Sequence, residues 1–159
     1  MSREVISISI LLIATVVAVS VMVMAIIPTI RDLAHTYSSV AENLNEKVKT
    51  NIKIIFIKAV QNGTAVDVYF WVKNTGETKI NFDLIARSDI FITSTSVFLH
   101  FTAGDSSVSY IIENGDGDNY WEKSETLRFN VTGLSLSSDE YTLTFVLYNG
   151  VKASNCFSW

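Results

Sequence analysis

Between Val5 and Ile30 the chain carries no charged side chain, a run of about 26 residues interrupted only by Pro28. Nothing else in its 159 residues restricts the fold as severely. As a helix the run extends roughly 39 Å at ~1.5 Å per residue, against a hydrocarbon core of about 30 Å, so it crosses a bilayer with tilt or projects past the far interface. A cleavable signal would be shorter and would follow a more basic leader, whereas here Arg3 is the only leader cation and Glu4 follows it. A buried core helix is disfavoured by proportion, because the short strands downstream cannot hide an all-round apolar helix of this length. Residues 1–30 therefore read as a transmembrane helix that Pro28 is expected to bend or locally open. Arg3 and Arg31 flank it evenly, so charge alone does not orient it. Two sequons and a strand-rich remainder suit a short end inside and a C-terminal domain outside the cytoplasm.

Ile26, Ile30, Leu33, Tyr37, Val40 and Leu44 are spaced 4, 3, 4, 3 and 4, a coiled-coil period, and Val48 extends it loosely. Arg31, Asp32, His35, Ser38, Glu42, Asn43 and Glu46 fill the other faces. Residues 31–50 thus predict an amphipathic stalk continuing the membrane helix. Its stripe of Ile30, Leu33, Tyr37, Val40 and Leu44 needs cover, either from the following domain or from neighbouring copies, whose tethering raises their effective concentration.

From Asn51 the pattern becomes strand-like. Asn51 to Val60 and Ala65 to Lys73 flank Asn62-Gly63-Thr64 as a hairpin, with Val66, Val68, Phe70 and Val72 on one face. Further strands are expected at Ile80–Ala86, Asp89–Thr93, Val97–Thr102, Val108–Glu113, Glu125–Val131, Tyr141–Tyr148 and Lys152–Trp159. Residues 51–159 therefore predict an all-β immunoglobulin-like sandwich behind the long helix and stalk. Leu134, Leu136, Asp139, Tyr141 and Leu143 fit a late strand whose tyrosine bonds back to the upstream backbone at a corner. Cys156 is the sole cysteine, so no internal disulfide forms. Burial as a small hydrophobe is expected for it, the alternative being a bridge between copies.

Ser2-Arg3-Glu4-Val5-Ile6, the helix and stalk, Val72-Lys73-Asn74-Thr75-Gly76-Glu77-Thr78, Trp121-Glu122-Lys123-Ser124-Glu125-Thr126-Leu127 and Tyr148-Asn149-Gly150-Val151 carry a family resemblance. Together they resemble archaeal flagellin-like proteins, and within that group the accessory stator families of the archaellum, FlaG and FlaF, with FlaG the nearer. The resemblance implies one membrane helix, an immunoglobulin-like domain beneath the surface layer, and assembly with a sister stator protein that grips that layer. It implies a stationary scaffold that anchors a rotary motor by supplying counter-torque, to which the apolar stalk stripe adds the expectation of a homo-oligomer. The alternative is a pilin-like or archaellin-like filament subunit polymerising through its N-terminal helix. Such subunits carry a leader ending in a small residue, whereas Arg3 precedes Glu4 here. Glu4 is either the partner of a neighbouring amino terminus or a solvated end of the span.

No enzyme chemistry emerges. His35 and His100 belong to no ligand-spaced pair, there is no phosphate-binding glycine loop, and no cofactor is implied. Asn114, Asp116, Asp118 and Glu125 occupy positions 1, 3, 5 and 12 of a calcium-loop template. Asn119 stands where that template needs glycine and no helices flank the loop, so a polar hairpin loop competes with a metal site. Asn62 and Asn130 head glycosylation sequons. Tyr69 and Trp71 share one face of a strand, and Tyr120 with Trp121 sits beside the acidic loop; both pairs are interface aromatics unless buried. A formal net charge of -4 argues against nucleic acid as a partner and leaves the membrane and envelope proteins.

Overall fold

The computed structural model describes residues 2–159 and divides into two compact units, Met1–Asn43 and Leu44–Trp159. Helix α1 runs Ser2–Lys49. Its stretch is free of glycine, and the helix continues unbroken through Pro28. Glu4 in the first turn and Lys47 and Lys49 in the last complement the helix dipole. Inside the apolar run, Ser9 donates to the Val5 carbonyl at 2.9 Å, Thr15 to Leu12 at 2.8 Å and Ser20 to Val16 at 2.8 Å. Back-bonding of this kind is how hydroxyls are satisfied where water is absent. Leucines, isoleucines and valines stand exposed on every side of the run. Such a surface is stable only in an apolar solvent, and this helix is long and apolar enough to cross a membrane.

The second unit is an immunoglobulin-like antiparallel sandwich. Its strands are β1 (Ile52–Asn62), β2 (Ala65–Asn74), β3 (Ile80–Asn81), β4 (Asp89–Thr93), β5 (Phe98–Thr102), β6 (Val108–Ile112), β7 (Tyr120–Trp121), β8 (Thr126–Leu134), β9 (Glu140–Val146) and β10 (Lys152–Ser158). One sheet has the order β1-β2-β8-β6 and the other β10-β9-β4-β5, with β3 and β7 paired apart. The β1–β2 hairpin turns at Gly63, whose φ of 66° suits a residue without Cβ. Alternation does the rest: Val66, Val68, Phe70 and Val72 are buried and meet Leu127, Phe129 and Val131 of β8. Phe70 stacks on Phe129 at 4.8 Å, and Phe145 of the opposite sheet closes on Phe129 at 4.9 Å. The tyrosine corner forms as expected, the Tyr141 hydroxyl donating to the Ser137 carbonyl at 3.0 Å and accepting from the Ser137 N–H at 3.1 Å.

Four local expectations are corrected. Ile80–Ala86 is not one strand: after Asn81 the chain turns into α2 (Phe82–Ile85), because the Asn81 side chain caps it by accepting from the Asp83 N–H at 2.9 Å. Cys156 is exposed, since β10 is an edge strand and this position faces away from the core. The strand expected at Glu125–Val131 runs on to Leu134, which puts the sequon residue Asn130 inside β8. Trp121 is fully buried, as described below.

Candidate functional site

The end of α1 is held by two segments that lie far apart in sequence, one of them braced by a third, all within the unit Leu44–Trp159. A helix end leaves carbonyls without intrahelical partners, and here the protein supplies them. The Thr50 N–H and hydroxyl both reach the Glu46 carbonyl, at 2.9 and 2.7 Å. The Glu77 N–H donates to the Lys49 carbonyl at 2.8 Å, and those of Thr75 and Gly76 converge on the Asn51 carbonyl at 2.8 and 2.9 Å. Gly76 passes so close that an added Cβ would lie 2.5 Å from the Lys49 oxygen and nearer still to the Asn51 nitrogen. Only glycine fits there.

Asn74 organises this loop from a fully buried position. Its Nδ2 donates to the carbonyls of Thr78 at 2.9 Å and Trp121 at 3.2 Å, while Oδ1 accepts from the Gly76 N–H at 3.0 Å. Its own carbonyl accepts from the Ser124 N–H at 2.8 Å. The segment from Trp121 to Glu125 thereby becomes the brace. Trp121 fills the interior beneath it, with Nε1 donating to the Glu125 carbonyl at 3.0 Å, so it is a core residue and not an interface aromatic. The second support is the β9–β10 turn. Tyr148 donates its hydroxyl to the Glu46 carboxylate, and Asn149 Nδ2 donates to Thr50 Oγ1 at 3.2 Å. Partial burial and the Glu46 carboxylate together push the Tyr148 phenol well above its ordinary range.

Two turns with short polar motifs, Asn74–Thr78 and Tyr148–Val151, thus meet the last turn of α1, and a third, Trp121–Glu125, braces the first through Asn74. The sequence pattern identifies each as a turn, but nothing in spacing shows that they meet. The missed signal is Gly76, a glycine where no turn of positive φ requires one.

The remaining sequence-derived residues distribute over the surface. In the stalk stripe Ile30, Leu33, Tyr37, Val40 and Leu44 are all exposed in the single chain. Tyr69 and Trp71 are half-buried on the outer face of the first sheet, where Trp71 lies 5.3 Å from Phe56 and its Nε1 donates to Glu113 at 2.9 Å. Tyr120 is exposed. The acidic loop is self-satisfied: Asn114 accepts from the Thr126 N–H at 2.7 Å, Asp116 from Asp118 at 3.1 Å, Asp118 from Tyr120 at 2.8 Å and Glu125 from Glu122 at 2.7 Å. Among the described residues no three His, Cys, Asp or Glu side chains are grouped to hold a metal. Asn62 is exposed and its Nδ2 donates to the buried Asp67 carboxylate at 2.9 Å. Asn130 sits between Tyr69 and Ser109 of the neighbouring strands, its side-chain oxygen buried without a partner.

Comparison with known proteins places this architecture. A protein from Archaeoglobus fulgidus with no assigned function is 58% identical over the full length of both chains. The archaellum periplasmic stator protein FlaG from Sulfolobus acidocaldarius is similar in structure, with a TM-score of 0.50 and 22% identity over 68% of this chain and 99% of that one. A structure of the FlaF and FlaG stator complex from the same organism gives a TM-score of 0.48 at 22% identity, covering 67% and 87%. The FlaG likeness establishes a shared β-sandwich fold. The family model for archaeal-type flagellin matches residues 2–157, helix and sandwich together. The chain belongs to the archaeal-type flagellin family.

Proposed function

We propose that this protein is a membrane-anchored structural component of the archaeal motility machinery, part of the stator that holds the rotary motor to the cell envelope. The observation that carries the reading is the absence of a linker. Only Thr50 and Asn51 separate the apolar-starting helix from β1, and both are bound into the three-turn support. A motor that turns a filament must push against something fixed. A folded domain whose anchor helix ends in a hydrogen-bonded, glycine-packed seat passes force to the membrane without a slack segment that would first have to be drawn tight. Family membership and the fold shared with a stator protein support the same assignment, and neither description is that of an enzyme.

In this reading α1 crosses the cell membrane once, with the sandwich outside the cytoplasm beneath the surface layer. A sister stator protein, a surface-layer protein and further copies of the chain are its partners, the last through the exposed stripe from Ile30 to Leu44. The competing reading is a filament subunit, favoured by a family match that includes the helix itself. Shearing native cells separates the two. A stator stays with the washed membranes and surface layer, whereas recovery of the protein in sheared filaments, starting at a processed N-terminus after Arg3, establishes the filament subunit.

A further inference from the structure

The outer face of the first sheet has a charge opposite to that of the rest of the domain. Of the eight lysines and arginines from Asn51 onward, Lys53, Lys58, Lys73 and Arg128 lie on this face. Of the twelve carboxylates in the same stretch Glu113 and Asp67 join them; Glu113 is engaged by Arg128 at 3.2 Å and by Trp71, and Asp67 is buried under Asn62 and the Gly133 N–H at 2.9 and 3.0 Å, so the cations stay in excess. Register makes the imbalance costly: Lys53 stands directly opposite Lys73, and like charges so placed destabilise a sheet. Between the cations runs an apolar strip of Phe56, Trp71, Tyr69 and Ile111, with Phe56 55% and Ile111 47% exposed. Aromatic side chains at the centre with arginine beside them and charge at the rim is the composition of a protein-binding surface.

We propose that this face docks an acidic surface of another envelope protein, its carboxylates meeting Lys53, Lys58, Lys73 and Arg128 around the Phe56–Trp71 centre. The inference rests on the reading that the protein works by holding an envelope partner, and it names the surface and the chemistry. The aromatic centre with arginine beside it and charge at the rim favours a protein over lipid.

The test uses the full chain in phosphatidylcholine nanodiscs titrated calorimetrically with poly-L-glutamate. Saturable binding is expected, weakening about tenfold or more as salt is raised and about tenfold in the double variant Lys58→Glu/Lys73→Glu. Lys123→Glu/Lys152→Glu changes net charge equally at other places and is expected to stay within about twofold. The milder Lys58→Gln/Lys73→Gln pair, checked for an unchanged melting temperature, is expected to fall between. Absence of binding, or equal loss in both charge-reversed variants, overturns the proposal. So does binding to phosphatidylglycerol vesicles without binding to polyglutamate. Self-association of the wild type that vanishes in Lys58→Glu/Lys73→Glu overturns it as well, because a second copy then occupies the face. Shear fractionation is independent of this result, so the face can stand while the stator assignment falls, or the reverse.

Discussion

The phenol of Tyr148 donates to the carboxylate of Glu46, joining residues 102 positions apart, the last turn of α1 and the turn after β9. This bond closes a ring of contacts in which the helix end meets Asn74–Glu77 on one side and Tyr148–Asn149 on the other. It ties the N-terminal part of the domain to nearly its last strand.

Replacing Tyr148 with phenylalanine leaves the half-buried Glu46 carboxylate without this donor. A loss of about 1 kcal/mol is expected, the low side for a hydrogen bond to a charged group because both partners are partly solvated. Chemical denaturation of the two proteins measures it. The pH dependence has a definite sign. The folded-state pKa of Tyr148 lies above the ordinary tyrosine value of about 10. The contribution is therefore complete below that value and is lost as the pH rises beyond it, where the unfolded chain ionises first. Stability of the wild type should fall more steeply above pH ~10 than that of Tyr148→Phe. Tyr110, also raised, is common to both and cancels in the comparison.

Gly76→Ala should be far more damaging than its size suggests. The new methyl meets backbone of Lys49 and Asn51, which cannot swing aside as a side chain can. A destabilisation of about 2–3 kcal/mol is expected, in the upper range for an overpacked site. Hydrogen exchange locates the effect: the amides of Thr75, Gly76 and Glu77 should lose protection well before those of β2 and β8.

Tyr141→Phe removes a hydroxyl that donates to the Ser137 carbonyl and accepts from its N–H. Both backbone groups lose their partner while the ring stays in the core. A cost of about 1–3 kcal/mol is expected in thermal or denaturant unfolding, with the fold intact at room temperature.

Cys156 should react with a thiol reagent in the native protein, one equivalent per chain without denaturant, because its side chain is exposed on an edge strand. Labelling only after unfolding would contradict its placement.

Much of the fold is legible in the chain because it is written in local periodicity. The charge-free run from Val5, the alternation through Val66, Val68, Phe70 and Val72, and the corner at Tyr141 each depend on neighbours a few residues away. What is not legible depends on distant packing. Trp121 looks like a surface aromatic beside an acidic loop, yet it fills the core because Glu125 and Asn74 bind its indole and backbone from elsewhere. Ile80–Ala86 has a strand's composition, but Asn81 caps a helical turn. Cys156 follows the rule that cysteine is buried only until edge placement is known. The seat around α1 was hidden for the same reason: Asn74–Thr78, Trp121–Glu125 and Tyr148–Val151 each read as turns, and only the folded chain brings them together.

The most direct measurement is the rotation of single cells tethered by their filaments in a strain lacking this protein, with electron microscopy of the same cells. A stationary anchor leaves filaments assembled but unable to drive sustained rotation, and re-expression of the wild type restores it. Rotation at the normal rate without the protein, or cells with no filament at all, would contradict a stator role.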